Sequence, residues 1–246
     1  MSQRIADDLD AFGGRTVVIT GGASGIGLAT ARMVVDRGGS VILMGRSREK
    51  LKAARAELGA AGSIAELDVT DEDAVRRAFT GIERIDHLIT AAAGTLRGRL
   101  VDLDTRRARQ LFDAKFWGQH HCVKYAAPRI AAGGSVVLFS GWVSRKPVAE
   151  MSTLAAVDGA IEALTRTLAL ELAPVRVNAI TPGQIDTPLW RSRLSEAEAR
   201  AHFDRVAQGH PVGRAGTAED VAQAILFLMT NGFMTGAVLD IDGGWR

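Results

Sequence analysis

A glycine-rich loop near the start of the sequence has the residue types and spacing of a phosphate-binding turn. The β-branched run 16–20 leads into glycines at positions 21, 22, 25 and 27, and an apolar, helix-like segment follows. Glycine lets a backbone approach a phosphate without a Cβ clash, and the next helix offers free N–H groups and a positive dipole end. An ordinary strand-to-helix turn is the alternative. We expect the pyrophosphate of a dinucleotide to be held by Gly21, Ser24, Gly25, Ile26 and Gly27.

The apolar pattern of the whole chain alternates between strand and helix periods. Strands are predicted at residues 16–20, 40–44, 63–67, 87–91, 135–140, 175–180 and 237–241. Helices are predicted at residues 26–36, 48–58, 71–80, 104–127, 151–173 and 218–230. This alternation, with Val- and Ile-rich strands, predicts an α/β fold: a doubly wound, Rossmann-type parallel sheet in a single domain over residues 1–246. The charged, proline-bounded stretch 184–216 is predicted to be a small helical lid.

Composition excludes several classes of protein. A chain of 246 residues that is 47% apolar can bury a large core. It lacks the roughly 20-residue apolar run of a membrane span, and its first eight residues are too polar for a signal peptide, so we expect a soluble, cytoplasmic protein with no membrane partner. Cys122 is the only cysteine, and the adjacent His120 and His121 cannot share one helix face, so we expect neither a disulfide nor a metal site. Because the arginines are scattered and the net charge is only +2, we expect no nucleic-acid partner.

Six segments in order along the chain resemble the short-chain dehydrogenase/reductase family. They are TGGASGIG at 20–27, LDVT at 67–70, AAAG at 91–94, LELAPVRVN at 170–178, TPG at 181–183 and DIDGG at 240–244. The resemblance implies a seven-stranded doubly wound sheet that binds a nicotinamide dinucleotide at its C-terminal edge, and a homodimer or homotetramer that acts on a small-molecule substrate.

The end of the second predicted strand favours NADP(H) over NAD(H). Enzymes that select NAD place a carboxylate there, which binds the ribose hydroxyls and would repel a 2′-phosphate. Here that position is Gly45, and Arg46 follows it. A guanidinium can hold a phosphate by two hydrogen bonds, although Arg46 is one of many arginines. By resemblance, the other cofactor-binding residues are Asp68, Val69, Ala91, Gly94, Asp158, Pro182, Gly183, Ile185 and Thr187. Asp68 is alternatively part of the cap of the next helix.

The catalytic positions depart from the family pattern. Typical members use a serine, a tyrosine and a lysine as proton machinery, with an asparagine from the preceding long helix. In the register of this chain those four positions hold Gly141, Leu154, Asp158 and Lys115. The single tyrosine, Tyr125, lies on the wrong helix, where a core or interface role is expected.

Two functional hypotheses follow. In the first, the protein is an NADP(H)-dependent oxidoreductase with a rebuilt proton relay, in which Lys115, Ser140 and Asp158 are catalytic. Lys115 either pairs with Asp158 or presents its ammonium to a substrate oxygen, and Asp158 accepts hydrogen bonds from the nicotinamide ribose. In the second, the protein binds NADP(H) without turning it over, as a sensor or scaffold. The residues expected to meet the substrate form an apolar pocket with a basic rim: Leu96, Arg97, Trp142, Lys146, Leu189 and Trp190.

Overall fold

The computed structural model describes residues 10–92, 94–192 and 194–245. The polar N-terminal segment 1–8 and Ala93 of the AAAG motif lie outside the described residues. The strands are β1 Thr16–Thr20, β2 Ser40–Gly45, β3 Gly62–Glu66, β4 Ile85–Thr90, β5 Ile130–Phe139, β6 Arg176–Pro182, β7 Ile185–Asp186, β8 Gly216–Thr217 and β9 Val238–Ile241. The α-helices are α1 Gly25–Val35, α2 Arg48–Leu58, α3 Glu72–Thr80, α4 Thr105–Phe112, α5 Gly118–Ala126, α6 Ser152–Glu171, α7 Pro188–Arg191, α8 Glu196–Gly209 and α9 Ala218–Thr230.

Seven parallel strands form one central sheet in the order β3-β2-β1-β4-β5-β6-β9. Every residue of β4 is buried, because apolar side chains and helices cover both faces of the sheet. The predicted Rossmann-type, doubly wound α/β fold of a single domain is therefore confirmed. The strand order reverses between β1 and β4, and ligands of such sheets bind at the carboxyl ends of the strands beside that reversal.

The long helix predicted at 104–127 is interrupted. Helix α4 ends at Phe112, a π-helical turn covers Asp113–Trp117, and α5 begins at Gly118. The wider turn frees the backbone carbonyl of Lys115, which accepts a hydrogen bond of 2.7 Å from the side chain of Gln119. Such π-helical insertions frequently lie at functional sites.

The predicted lid, residues 184–216, contains helices α7 and α8, the whole of strand β7 and the first residue of β8. The sequence predicted helical structure in this segment without placing individual helices, and it did not predict the pairing of β7 with β8. Helix α8 starts at a capping box in which Ser195 and Glu198 exchange hydrogen bonds. The paired strands fix the two ends of the segment beside the sheet, and its action as a lid stays a prediction. Within the described residues, every helix is too short or too polar to cross a membrane.

Candidate functional site

The glycine loop between β1 and α1 is packed too closely for side chains. Gly21 has a φ of +70°, and a Cβ there would lie 2.7 Å from the carbonyl carbon of Ala91. A Cβ at Gly27 would overlap the carbonyl oxygen of Gly21. Ser24 precedes α1 without capping it by its side chain, so the first-turn N–H groups remain available to an anion. These features fit the pyrophosphate of a dinucleotide.

A cleft of about 650 Å³ opens above this loop at the carboxyl edge of the sheet. Its size and its glycine cradle suit a dinucleotide. Ten of the predicted cofactor-binding residues line it: Gly21, Ser24, Gly25, Ile26, Gly27, Arg46, Asp68, Val69, Ala91 and Thr187. The others are not among its lining residues. Ile185 instead lines a second cavity of about 280 Å³, and Gly183 packs against Asp242, where a Cβ would lie 2.7 Å from the Cα of that residue.

Cationic side chains lie at the end of the cleft nearest β2. Arg46 and Lys50 both line it, together with Ser47, whose side chain caps α2 by accepting a hydrogen bond from the Lys50 N–H. Lys50 was not predicted to be a site residue, although its place in the first turn of α2, three residues after the cap, was a usable signal. Neither cation forms a salt bridge to another residue that the structure describes.

Asp68 belongs to the cleft and does not cap the next helix. Its carboxylate accepts hydrogen bonds from the backbone N–H and the hydroxyl of Thr70, while Asp71 caps α3. The Thr70 N–H, with a smaller contribution from the charge of Arg46, holds the pKa of Asp68 below its ordinary value. Asp68 is therefore ionised at neutral pH and presents an acceptor to the cleft.

Lys115 and Asp158 form a buried ion pair. The ammonium of Lys115 donates to Asp158 Oδ1, and the two residues are 5% and 0% exposed. Burial raises the pKa of Asp158, and the adjacent ammonium opposes that rise. The second carboxylate oxygen, Oδ2, has no hydrogen-bond partner within the described part of the chain. The pair thus retains one unused acceptor.

Gly141 makes room for this carboxylate. A Cβ at position 141 would overlap Asp158 Oδ2 and lie 3.0 Å from its Cγ. The two departures from the family pattern are therefore sterically coupled, because Asp158 in this conformation requires glycine at 141. Leu154, at the expected tyrosine position, is buried in the core.

Ser140 completes the cluster that the sequence analysis named. Its hydroxyl donates to the backbone carbonyl of Asp158 over 3.0 Å, and the hydroxyl of Ser144 lies 2.6 Å from Glu162 Oε1. The structure thus brings Lys115, Ser140 and Asp158 together. Ala114 and Phe139, their neighbours in the chain, form part of the cleft wall, whereas the three cluster residues are not among its lining residues.

Gln119 holds this wall in place and was missed by sequence reasoning. Its amide bonds to the carbonyl of Lys115 at 2.7 Å and to both backbone groups of Phe139 at 2.8 and 2.9 Å, and it accepts from the hydroxyl of Thr90. A fully satisfied buried amide fixes the elements that it joins. One glutamine therefore ties the π-helical turn to β4 and β5.

The residues expected to meet the substrate have separate partners. Leu189 lines the cleft and Leu96 is buried in the core. Arg97 pairs with Glu150, Lys146 pairs with Asp242, and Trp190 stacks on His202. Trp142 packs against Trp245, with ring centroids 4.4 Å apart.

The single tyrosine does not belong to this group of residues. Tyr125 is on α5, where its hydroxyl donates a hydrogen bond to Glu72 on α3. Within the described residues, no cluster of histidine, cysteine and carboxylate side chains is arranged to hold a metal ion.

Residues 21–246 match the family model described as enoyl-(acyl carrier protein) reductase. The cis-4-hydroxycyclohexanecarboxylate dehydrogenase of Sinomonas cyclohexanicum is 33% identical, over 96% of this chain and 98% of that protein. The L-fucose dehydrogenase of Oryctolagus cuniculus is 32% identical, over 95% of this chain and 85% of that protein.

Solved structures agree with these relatives. A small-chain dehydrogenase in complex with NADPH is 37% identical, with a TM-score of 0.81 over 94% of this chain and 97% of that chain. A short-chain type dehydrogenase/reductase from Mycobacterium ulcerans is 33% identical, with a TM-score of 0.88 over 95% and 90% of the two chains. Sequence, sheet order and cleft thus give one result: the chain belongs to the short-chain dehydrogenase/reductase family of nicotinamide-dependent oxidoreductases.

Proposed function

We propose that the protein is an NADP(H)-dependent oxidoreductase that transfers a hydride between nicotinamide and a carbonyl or alcohol substrate, with a proton relay built on Lys115 and Asp158. The observation that carries the cofactor preference is the charge at the adenosine end of the cleft. Gly45 provides no carboxylate to repel a 2′-phosphate, and the cations of Arg46 and Lys50 lie next to it. NADPH in one related structure supports the same preference, as a property of that protein.

Each group in the cleft has a role in holding the cofactor. The N–H groups of Gly25 and Ile26 suit the pyrophosphate, and Asp68 with Val69 suits the adenine. Thr187, which precedes α7, also lines the cleft, where a Cβ at Gly25 would lie 3.6 Å from its own Cβ, and in this proposal it meets the nicotinamide or its phosphates. A bound nicotinamide supplies or accepts the hydride. Holding hydride donor and acceptor in reacting geometry contributes up to about 7–11 kcal/mol, so loss of the family tyrosine need not abolish the reaction.

The proton side of the reaction is assigned to Lys115. In carbonyl reduction, negative charge develops on the substrate oxygen, and an ammonium lowers the energy of that charge and can give up a proton to it. Asp158 orients the ammonium by accepting its hydrogen bond, while its free Oδ2 can accept a hydrogen bond from a ribose hydroxyl. Ser140 acts on the same cluster by holding the backbone of Asp158.

A binding-only protein is the second candidate function. The observation that favours it is the closure of the ion pair: Lys115 and Asp158 are buried, satisfy each other, and are not among the residues that line the cleft. A sensor or scaffold would need the cofactor cleft but no access to this pair.

Association into a homodimer or homotetramer is also part of the proposal. Leu170 at the end of α6 and Phe233 after α9 are 82% and 101% exposed. Large exposed apolar side chains of this kind are typical of surfaces that a second copy covers. Light scattering at several protein concentrations tests this association.

The deciding experiment is titration of NADPH and NADH into the purified protein by fluorescence, followed by turnover of a panel of ketones, aldehydes and alcohols. The proposal expects tighter binding of NADPH and turnover that falls by at least about 100-fold in Lys115→Met, within the range of a general acid. Tight NADPH binding without turnover of any compound would favour the sensor or scaffold. Equal affinity for the two cofactors would overturn the role of Arg46 and Lys50.

A further inference from the structure

The basic rim that sequence reasoning expected around the substrate is neutralised by acidic residues of the chain itself. Arg145 and Lys146 follow β5 at the end of the loop that starts with Gly141, the residue that packs against Asp158. They are the cations of this loop that could anchor an anionic group of a substrate. Arg145 Nη1 lies 2.8 Å from Asp240 Oδ2, and Lys146 Nζ lies 2.6 Å from Asp242 Oδ2.

The Lys146–Asp242 pair is held rigidly. The two side chains are only 25% and 17% exposed, so solvent screens them less than a surface pair. The other carboxylate oxygen of Asp242 accepts a hydrogen bond from the Gly244 N–H, and the Trp245 ring lies 5.3 Å from the Lys146 ammonium. Although burial opposes its ionisation, these hydrogen bonds hold the pKa of Asp242 below its ordinary value. A competing carboxylate would have to displace a partner that is already charged and fixed.

Two other cations that the sequence placed near the substrate are balanced in the same way. Glu150 pairs with Arg97, and Asp158 pairs with Lys115. The other expected contacts, Leu96, Trp142 and Leu189, are apolar. A substrate carboxylate beside these four cations would therefore lose its hydration and find each of them already paired, which is energetically costly.

From this charge balance we infer that the protein selects neutral, apolar carbonyl or alcohol substrates over anionic ones, and that Asp242 is a specificity-determining residue because it masks Lys146. This inference rests on the proposed oxidoreductase function. It predicts that removal of the Asp242 charge makes Lys146 available to a substrate carboxylate.

The test uses two probes that differ in one charge: 4-oxopentanoate and its ethyl ester. With wild-type protein and NADPH, kcat/KM for the ester exceeds that for the free acid by at least about tenfold. In Asp242→Asn the ester-to-acid ratio falls by about tenfold or more. The matched control is Asp73→Asn, which removes the same charge from the exposed Arg76 pair on α3 and leaves the ratio unchanged.

Calorimetric binding of both probes, with and without NADPH, keeps the test independent of turnover. An absence of turnover with tighter binding of the ester contradicts the hydride-transfer function while supporting the charge selection. Binding or turnover of the acid at least as good as that of the ester in the wild type overturns the inference, as does failure of both probes to bind. An unchanged ratio in a folded Asp242→Asn variant overturns the role of Asp242.

Discussion

The ammonium of Lys115 and the carboxylate of Asp158 face each other from a π-helical turn and from α6, in a site that solvent hardly reaches. A buried ion pair is weak support for stability as such, but removal of one partner leaves an uncompensated charge. Because of this asymmetry, the ion pair can be tested by measurements of stability that do not depend on enzyme activity.

Lys115→Met is expected to lower the free energy of unfolding by about 3–5 kcal/mol, because Asp158 is left buried and unpaired. The double variant Lys115→Met/Asp158→Leu is expected to recover most of that loss, since neither charge remains. Urea denaturation followed by circular dichroism gives both values. A double variant as unstable as the single one would contradict the reading of the pair as mutually compensating.

Glycine substitutions at two neighbouring places should have opposite effects. Gly141→Ala forces a Cβ into Asp158 Oδ2 and is expected to destabilise the protein by about 1–3 kcal/mol, the usual cost of overpacking. Gly159→Ala, within α6 and with open space around its Cβ, is expected to stabilise it by up to about 1 kcal/mol through helix propensity. Thermal unfolding of the two variants side by side measures the difference. Equal effects would show that the contact between Gly141 and Asp158 is not tight.

The adenosine end of the cleft gives a prediction about cofactor choice. Replacement of Arg46 and Lys50 by alanine, each alone, is expected to weaken NADPH binding by about 10- to 100-fold, because a charge-assisted hydrogen bond contributes about 1.5–3 kcal/mol. NADH binding should change by less than about threefold. Arg48→Ala removes a cation that is not among the residues lining the cleft and serves as the control. Parallel losses for both cofactors would indicate a general electrostatic effect.

The glycine loop, Arg46 and Asp68 could be assigned to the cleft from the sequence because their determinants are local, whereas five other residues predicted to bind the cofactor are not among its lining residues: Gly94, Asp158, Pro182, Gly183 and Ile185. The glycine spacing, the end of the second strand and the residues around Asp68 each lie within a few positions of one another. Pairing of Lys115 with Asp158 was one of two options that the sequence left open, and the structure supports it. The contact that joins the π-helical turn to β5 was not predictable, since Gln119 hydrogen-bonds to Phe139, 20 residues away in the chain.

The charge on the substrate side of the site depends on salt bridges between residues that are still further apart in the sequence. Lys146 was expected in a basic rim around the substrate, and Arg145 precedes it in the same loop. Asp240 and Asp242, which pair with Arg145 and Lys146, lie 95 and 96 residues away and arrive through the pairing of β9 with β6, and Arg145 also pairs with Glu162 on α6. A basic residue on a loop therefore cannot be assigned a role in substrate binding until the order of the strands shows which acidic residues lie beside it.

Stability should depend on pH through His87, which lies in the middle of the sheet, far from the cleft. Burial, together with the nearby charges of Arg15 and Arg176, lowers the pKa of His87 to about 4, and its Nδ1 lies 2.8 Å from the hydroxyl of Ser135. Between about pH 4 and pH 6.5 the unfolded chain binds a proton at this residue that the folded chain does not. The contribution of the neutral His87 to the free energy of unfolding is therefore fully present above pH 6.5 and is lost as the pH falls towards 4.

The expected loss is about 3 kcal/mol between pH 6.5 and pH 4, in addition to the contribution of other groups. His87→Gln keeps a hydrogen-bonding side chain but cannot titrate, so its unfolding free energy should fall less steeply over the same interval. Urea midpoints measured at half-unit steps of pH, for both proteins, separate the contribution of His87 and of its interaction with Asp86 from that of the other carboxylates. Coincident slopes for wild type and variant would mean that His87 takes up its proton equally in the folded and the unfolded chain, and would contradict a lowered pKa for the buried ring.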